Sequence, residues 1–227
     1  GYIKGLAESV DIPVCLHLDH ATDKEMIREC IRAGFTSVMI DSSKKSYEEN
    51  IADTREIVEY AKQYGVSVEA ELGMLGGREE NVVVDDASAA MTNPDDVAHF
   101  VEATGIDALA VAIGTAHGFY KADPKLDFER LEKITKVTDC PLVLHGGTGV
   151  PEADFRKCVQ LGMSKINYGT AIKSVFVGAV AAVCEEEAAK VPGKQDPRNL
   201  LRPAKQAVCD HVAEKIEIYG STGKAWK

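Results

Sequence analysis

The chain has 227 residues, of which 45% are hydrophobic and 27% charged, and its formal net charge is −10 at pH 7. This composition is that of a globular chain able to bury a full core, and the acidic balance argues against a nucleic-acid-binding surface. No apolar run approaches the roughly 20 residues that a membrane-spanning helix needs, so no membrane partner is expected. The six cysteines show no CxxC spacing, which predicts reduced thiols in a cytoplasmic protein.

The first part of the chain alternates short apolar runs with amphipathic segments. Residues 2–9 resemble the end of a helix. We then predict strands at Pro13–Leu18, Ser37–Ile40 and Ser67–Leu72. Thr22 is expected to cap the helix that ends at Gly34, and Ser46 with Glu49 forms a capping-box pattern ahead of the next helix.

The same alternation continues after residue 93. Pro94 suits the first turn of a helix that runs to Thr104. Further strands are predicted at Ala108–Ile113, Leu142–Leu144 and Lys165–Asn167, and further helices at 127–138, 152–161, 171–190 and 199–219. Strands that are apolar throughout and separated by helices predict a parallel sheet covered on both faces. We therefore predict an α/β fold, a (β/α)8 TIM barrel forming one domain over residues 1–227, with C-terminal helices at about 171–219.

A connection of about twenty residues, 73–93, follows the third predicted strand. Gly73, Gly76 and Gly77 should make its start flexible, and several acidic residues follow. Long loops after barrel strands are often functional, so we expect this loop to serve the site. The alternative is an ordinary solvated acidic loop.

Three histidines stand where predicted strands end. His20 follows the first strand, His117 the strand that begins at Ala108, and His145 the strand Leu142–Leu144. The carboxyl ends of parallel barrel strands meet at one mouth, and three imidazoles there are the kind of ligand set that a metal site needs. A single histidine in such a position would more simply be a structural residue.

Six motifs occur in order along the chain, and together they resemble one family. They are His17-Leu18-Asp19-His20, Glu69-Ala70-Glu71-Leu72-Gly73 with Gly76-Gly77, Gly114-Thr115-Ala116-His117-Gly118, His145-Gly146-Gly147-Thr148-Gly149, Lys165-Ile166-Asn167 and Asp196-Pro197-Arg198. This set is similar to the class II, zinc-dependent ketose-bisphosphate aldolases, which act on fructose or tagatose bisphosphate. The resemblance runs from Tyr2 to Lys224.

The resemblance implies how the metal and the acid–base groups are arranged. His20, His117 and His145 would hold the catalytic zinc. Glu71 matches an acidic position near the metal, where it would be an alternative ligand or a partner of the ligands; an ordinary hydrogen-bonded barrel carboxylate is the alternative. Asp19 would exchange the proton of the substrate's C4 hydroxyl, the alternative being support of a ligand histidine. Glu79 would move the C3 proton, with Glu80 as the competing assignment.

The two substrate phosphates would be bound by separate groups. The resemblance assigns the dihydroxyacetone-phosphate end to loop residues after the last strands, namely Gly118, Gly146, Gly147, Thr148, Asn167 and Thr170. Arg198 matches the residue that reaches the other phosphate, often across a dimer. A monovalent cation near the phosphate site and a homodimer or homotetramer are further implications.

The expected reaction is the reversible, metal-dependent aldol cleavage of a ketose 1,6-bisphosphate to dihydroxyacetone phosphate and glyceraldehyde 3-phosphate. A barrel hydrolase that uses zinc-bound hydroxide and an inactive or truncated scaffold stay open as alternatives. Lys165 stands at the start of its predicted strand rather than at its end, which argues against a Schiff-base mechanism. The motifs do not decide between the fructose and tagatose configurations at C4.

The strand count is two short of eight. In the family that the motifs resemble, two strand–helix units precede the point that matches residue 1. We therefore expect the sequence to be part of a longer gene product. The alternative is that the barrel closes differently, through another chain.

Overall fold

The computed structural model describes residues 1–79, 82–84, 90–120 and 124–225, without the side chains of 76–79 and 82–84. Six parallel strands form the main sheet in the order β1-β2-β3-β6-β8-β9. Their bounds are β1 His17–Ala21, β2 Ser37–Ile40, β3 Ser67–Leu72, β6 Ala108–Val111, β8 Leu142–Leu144 and β9 Met163–Ile166. A smaller sheet consists of β4 Gly76–Glu79, β5 Val82–Val84 and β7 Ala116–His117.

Helices follow the strands of the main sheet in the predicted alternation. They are α1 Tyr2–Ala7, α2 Lys24–Arg32, α3 Tyr47–Lys62, α4 Pro94–Thr104, α5 Phe128–Thr135, α6 Glu152–Gln160, α7 Thr170–Ala188 and α8 Arg198–Ile218. Across the described part of the chain, no helix combines the length and apolar character that crossing a bilayer requires.

The helix boundaries largely follow the capping signals. Ser46 and Glu49 form the predicted capping box, and the side chain of Asn93 accepts a hydrogen bond from the Asp95 backbone at the start of α4. The prediction that Thr22 caps α2 was wrong. The carboxylate of Asp23 accepts from the backbone N–H groups of the first turn instead, which a hydroxyl one residue earlier is too far back to do.

The main sheet is strongly curled. Six strands spaced about 4.8 Å apart would hold the edge strands β1 and β9 about 24 Å apart in a flat sheet. Their side chains nevertheless touch: Lys165 Nζ lies 3.3 Å from His17 Nε2, and Asn167 Nδ2 lies 3.2 Å from Asp19 Oδ1. The sheet therefore curves far enough for its two edges to face each other, as in a TIM-barrel-like fold. The absence of two strand–helix units stays a prediction.

Alternation along the strands separates two environments. The outward face packs against the helices and includes Val38, Ile40, Val68, Leu109 and Leu142. The inward face carries a small apolar cluster of Met39, Ala110 and Val143. Glu69 and Glu71, each 2% exposed, also lie on this inward face, because they alternate with Val68 and Ala70 along β3. The inward face of the sheet therefore carries both an apolar cluster and two buried carboxylates.

The predicted strand Pro13–Leu18 was placed too early. The observed strand begins at His17, and the apolar residues Ile12 and Val14 are 58% and 44% exposed. Strand β1 is an edge strand whose pairing with β2 starts at His17 opposite Ser37. An apolar run predicts burial, but at an edge the extent of a strand depends on its single neighbour.

The loop predicted to be flexible contains regular structure. Strands β4 and β5 form an antiparallel hairpin, and β4 pairs in parallel with β7, so that Gly77 lies opposite His117. Gly73, at φ +92°, is required because an added Cβ would lie 2.8 Å from the carbonyl oxygen of Ala90. The hairpin therefore lies beside one of the predicted metal ligands.

Candidate metal centre

An irregularity in β1 places two neighbouring residues in the same site. The pairing register with β2 shifts between Leu18 and Ala21, and His20 has φ +42°, the one positive φ among the described non-glycine residues. Consecutive residues of a regular strand point to opposite faces. The bulge removes this restriction, so that Asp19 and His20 both lie next to His145.

The three predicted histidine ligands converge. Nitrogen atoms of His20, His117 and His145 all lie within 4.8 Å of one another. Their ring centroids are 4.5 to 5.9 Å apart and the rings are steeply inclined. Tetrahedral zinc with Zn–N bonds of about 2.0–2.1 Å needs ligand nitrogens about 3.3 Å apart, so small side-chain adjustments bring this set into range. The donor set fits zinc.

The prediction that all three histidines end a main-sheet strand needs correction. His20 is the fourth of five residues in β1, and only His145 directly follows its strand, β8. His117 lies in the separate short strand β7, after the chain has left β6 at Val111. Strand β7 pairs in parallel with β4. This pairing returns the chain to the open end of the main sheet, where His117 lies.

Carboxylates orient two of the three imidazoles. Asp41 Oδ2 lies 3.0 Å from His20 Nδ1, and Glu69 Oε1 lies 2.8 Å from His145 Nε2. The remaining nitrogens, His20 Nε2 and His145 Nδ1, then face each other across 2.7 Å. Each imidazole therefore presents the opposite nitrogen to the centre, the arrangement in which a carboxylate behind a histidine sets its tautomer for metal binding.

The local charges favour a cation at this point. Burial alone would lower the pKa of His20, but Asp41, Asp19 and Glu71 outweigh it and raise that pKa to about 9. For His145, burial dominates and lowers the pKa below its usual value. The carboxylates around His20 therefore favour positive charge at this point, which a divalent ion also supplies.

Glu71 lies beside the histidine cluster. Its carboxylate lies near His20 and Asp41, with one ligand atom of each within 4.8 Å of the others. Its Oε1 accepts a hydrogen bond from the Leu75 backbone, whereas the buried Oε2 has no hydrogen-bond partner. Burial, with the like charge of Asp41, raises the pKa of Glu71 to about 8. A buried, unpartnered carboxylate oxygen next to the ligands suits an additional metal contact.

Asp19 lies at the edge of the same centre, with its side chain 40% exposed. Asn167 donates to both of its oxygens at 3.2 and 3.3 Å, and His17 Nε2 lies 3.6 Å away. Burial raises its pKa, but the hydrogen bond with His17 and the positive charges of His145, His20 and Lys165 outweigh this and hold the pKa well below its usual range. Asp19 is therefore an oriented, ionised carboxylate.

A cavity of about 310 Å³ opens next to these side chains. Asp19 and His117 line it, and so does every predicted residue of the dihydroxyacetone-phosphate end: Gly118, Gly146, Gly147, Thr148, Asn167 and Thr170. Helix α7 begins at this wall with Gly169 as its N-cap, and the hydroxyl of Thr148 accepts from the Ala171 backbone N–H at 3.2 Å. Backbone N–H groups at a helix N-terminus attract phosphate, so this wall of the cavity has the chemistry of an anion site beside the three histidines.

One tyrosine ties the two loops of the cavity together. The hydroxyl of Tyr120 donates to the Gly146 carbonyl at 2.7 Å and accepts from the Ala116 backbone N–H at 2.8 Å. Gly146 has φ +69°, and a Cβ there would collide with the carbonyl oxygen of Ala116. The two loops are therefore closely packed and share one hydrogen-bonding group.

The predicted residues Arg198, Glu79 and Glu80 stand apart from these groups. Arg198, at the start of α8, is 80% exposed and is paired with Asp196 at 2.6 Å. The backbone of Glu79 ends β4, two residues beyond the pair Gly77–His117, but its side chain lies outside the described part of the structure. Glu80 lies outside the described residues altogether.

The structure also reveals site residues without a predicted role. Lys165 was predicted at the start of its strand, which was wrong. It is the third residue of β9, it lines the cavity, and its amine contacts Glu69. Asp41 and Glu69 contact the ligands His20 and His145, and His17 lies beside Lys165 and Asp19. Parity along the strands could have indicated Lys165 and Glu69, which lie two residues before Asn167 and Glu71.

Comparison with known proteins identifies the family of the chain. The family model described as fructose-bisphosphate aldolase class-II matches residues 1–224. The chain is 46% identical over 225 residues to a fructose-bisphosphate aldolase of Geobacillus stearothermophilus, covering 98% of this chain and 76% of that protein.

Solved structures give the same result. The YdjI aldolase from Escherichia coli K12 superposes with a TM-score of 0.83 at 36% identity, covering 97% of this chain and 75% of that one. The fructose-bisphosphate aldolase of Campylobacter jejuni superposes with a TM-score of 0.79 at 26% identity, covering 96% and 74%. The chain belongs to the class II fructose-bisphosphate aldolases, a zinc-dependent family of lyases.

Proposed function

We propose that this chain cleaves a ketose 1,6-bisphosphate reversibly to dihydroxyacetone phosphate and glyceraldehyde 3-phosphate, with zinc bound by His20, His117 and His145. The observation that carries the proposal is the convergence of these three imidazoles within 4.8 Å, beside a cavity with an anion-binding wall. Glu71 supplies the additional oxygen contact, through its unpartnered Oε2. When bound, zinc supplies Lewis-acid stabilisation of the negative charge that develops on the substrate's ketone oxygen.

Asp19 is the group that we assign to the C4 hydroxyl. Cleavage of the C3–C4 bond requires removal of the proton from that hydroxyl, and condensation requires its return. The carboxylate of Asp19 is ionised and lines the cavity, and Asn167 holds both of its oxygens. A fixed carboxylate of this kind accepts the proton without first having to reorient.

Glu79 is the group that we assign to the proton at C3. The pairing of β4 with β7 brings the backbone of this hairpin next to His117, two residues before Glu79. A carboxylate carried on a hairpin at the mouth can approach the bound substrate and help to exclude water. Glu80 is the competing assignment, and separate substitutions of the two residues distinguish them.

The substrate phosphates orient the sugar between these groups. We assign the dihydroxyacetone-phosphate end to Gly118, Gly146, Gly147, Thr148, Asn167 and Thr170, at the start of α7. Arg198 is assigned to the other phosphate. It must leave Asp196 to reach that phosphate, because the two are ion-paired outside the cavity.

An oligomer would bring further groups near the site. Helices α7 and α8 pack mainly against each other, and Phe176 and Val177 on α7 are 38% and 64% exposed. We propose a homodimer or homotetramer, in agreement with the family resemblance. Light scattering of the purified protein gives the mass that tests this.

The decisive experiment measures metal content and aldol cleavage on one sample. Purified protein should contain zinc, and a coupled assay should detect triose phosphate from fructose 1,6-bisphosphate or tagatose 1,6-bisphosphate. A chelator should abolish the activity and added zinc should restore it. Full activity after metal removal, or a folded zinc-loaded protein that cleaves neither sugar, would overturn the proposal. The ratio of the two cleavage rates gives the preference at C4.

A further inference from the structure

A buried carboxylate on β3 connects two neighbours of the metal centre. Glu69 is 2% exposed, and both of its oxygens are engaged. Oε1 accepts from His145 Nε2 at 2.8 Å, and Oε2 accepts from Lys165 Nζ at 2.6 Å. Three strands, β3, β8 and β9, are therefore joined through one carboxylate at the point where a metal ligand lies.

The orientation of His145 depends on this carboxylate. Its Nε2 is directed to Glu69, so Nδ1 faces His20 Nε2 across 2.7 Å. The ring is completely buried, and Glu69 is the carboxylate that the described structure places on Nε2. The rotamer of Glu69 therefore decides which nitrogen of His145 faces the centre.

Lys165 holds Glu69 from the opposite side. Its amine also lies 3.3 Å from His17 Nε2, and His17 Nδ1 lies 2.8 Å from Ser37 Oγ. The lysine is thus fixed between two partners rather than extended freely into the cavity. An engaged amine of this kind is poorly suited to attack a ketone, which agrees with a metal-dependent rather than a Schiff-base reaction.

We propose that Lys165 is a positioning residue that aligns Glu69 with His145 and thereby strengthens zinc binding. The inference rests on the proposed function, because it requires zinc at His20, His117 and His145. It adds to that function a residue that is neither a metal ligand nor one of the assigned acid–base groups. Loss of the carboxylate partner of a ligand histidine commonly weakens metal affinity 10- to 100-fold.

The direction in which zinc affinity changes on removal of Lys165 distinguishes a positioning role from a purely electrostatic one. If Lys165 only contributed a positive charge near the metal, its removal would relieve repulsion and tighten zinc binding. If it positions Glu69, its removal leaves a buried carboxylate oxygen without a donor, and zinc binding weakens as the Glu69–His145 alignment is lost.

The experiment measures zinc affinity by competition with a coloured chelator. We expect Lys165→Met to weaken zinc binding about 10-fold and Glu69→Gln about 10- to 100-fold. The double variant should bind zinc no more weakly than Glu69→Gln alone, because the two side chains act as one unit. Both single variants should also change the visible absorption spectrum of the Co²⁺-substituted protein, which reports ligand geometry.

Lys24→Met is the matched control, because it removes the ion pairs that Lys24 on α2 makes with Asp53 and Glu56 on α3. It should leave zinc affinity unchanged. Unchanged or tighter zinc binding in Lys165→Met, or fully additive losses in the double variant, would overturn the inference. If Lys165→Met does not fold, Glu69→Gln carries the same test, and unchanged affinity there overturns it. Wild-type protein that binds no zinc would instead refute the proposed function.

Discussion

The metal centre and the start of α8 carry comparable sequence motifs, but their side chains are held very differently. His145 is fully buried, and a neighbouring carboxylate orients its ring. Arg198 is 80% exposed, and its one described ion-pair partner, Asp196, lies two residues away. The first group is fixed by packing from several strands, whereas the second is held only by its own segment.

The comparison shows that the side chains of the metal centre are held rigidly, whereas the side chain at the start of α8 is not. A metal site needs its ligands in place before the ion arrives, since reorganising buried side chains costs binding energy. A phosphate-binding arginine can move onto its ligand, because the charged phosphate repays the loss of an exposed ion pair worth at most about 1 kcal/mol. The two regions should therefore respond differently to substitution.

The largest expected effect is at the metal centre. His145→Ala should abolish stoichiometric zinc binding and reduce kcat/KM by about 10⁴-fold, since Lewis-acid stabilisation supplies several kcal/mol and each 1.36 kcal/mol is tenfold. Metal analysis and the coupled assay measure both. His99→Ala is the control, because His99 lies on α4 and bonds to Tyr47. A zinc-loaded, active His145→Ala would refute the ligand assignment.

Asp19→Asn should separate proton transfer from metal binding. The amide has the same shape but cannot accept the C4 hydroxyl proton, so kcat should fall about 10³-fold, within the usual range for general acid–base groups. Zinc affinity should change only a few-fold, because Asp19 is not one of the three ligands. Steady-state kinetics and chelator competition on the same preparation test this. A large loss of zinc with little loss of kcat would assign Asp19 a supporting role instead.

Arg198→Ala tests the start of α8 directly. Hydrogen bonds to charged groups contribute about 1.5–3 kcal/mol, so KM should rise about 10- to 100-fold while zinc affinity stays the same. Thermal stability should hardly change, because the side chain is exposed. Arg202→Ala, on the same helix, is the matched control. If Arg198→Ala lowered zinc affinity, the contrast between the two regions would fail.

The smallest expected effect comes from the residue that joins the two loops of the cavity. Tyr120→Phe removes the hydroxyl that bonds Ala116 and Gly146, at a cost of about 1–3 kcal/mol in the free energy of unfolding. We expect kcat/KM to fall about 10-fold. Tyr47→Phe removes a comparable hydroxyl, bonded to Asp96 and His99, and should leave kinetics unchanged. Equal kinetic losses in both variants would contradict this role of Tyr120.

The sequence predicted the repeating strands and helices because their periodicity is strong. Ser37–Ile40 and Ser67–Leu72 match the observed strands residue for residue, since both are internal strands covered on two faces. The first strand was misplaced because an edge strand has one neighbour to define it. The hairpin of β4 and β5 escaped prediction because its glycines indicate flexibility as well as they indicate a turn.

The sequence predicted those residues of the candidate site that belong to a recognisable motif. The convergence of His20, His117 and His145 was predicted because each stands near a strand end. Asp41, Glu69 and Lys165 were missed, because their roles depend on which strands the curled sheet brings together, and spacing along the chain does not carry that information. The positive φ of His20 likewise has no signature in the residue types around it.

That backbone angle at His20 limits how this active site could be transferred to another protein. A designer who copied only the side chains of Asp19 and His20 onto a straight strand would send one of them to the wrong face. The local distortion of the main chain has to be grafted with them. Even a single-residue deletion between Leu18 and Ala21 should therefore damage catalysis more than many substitutions of the surrounding side chains.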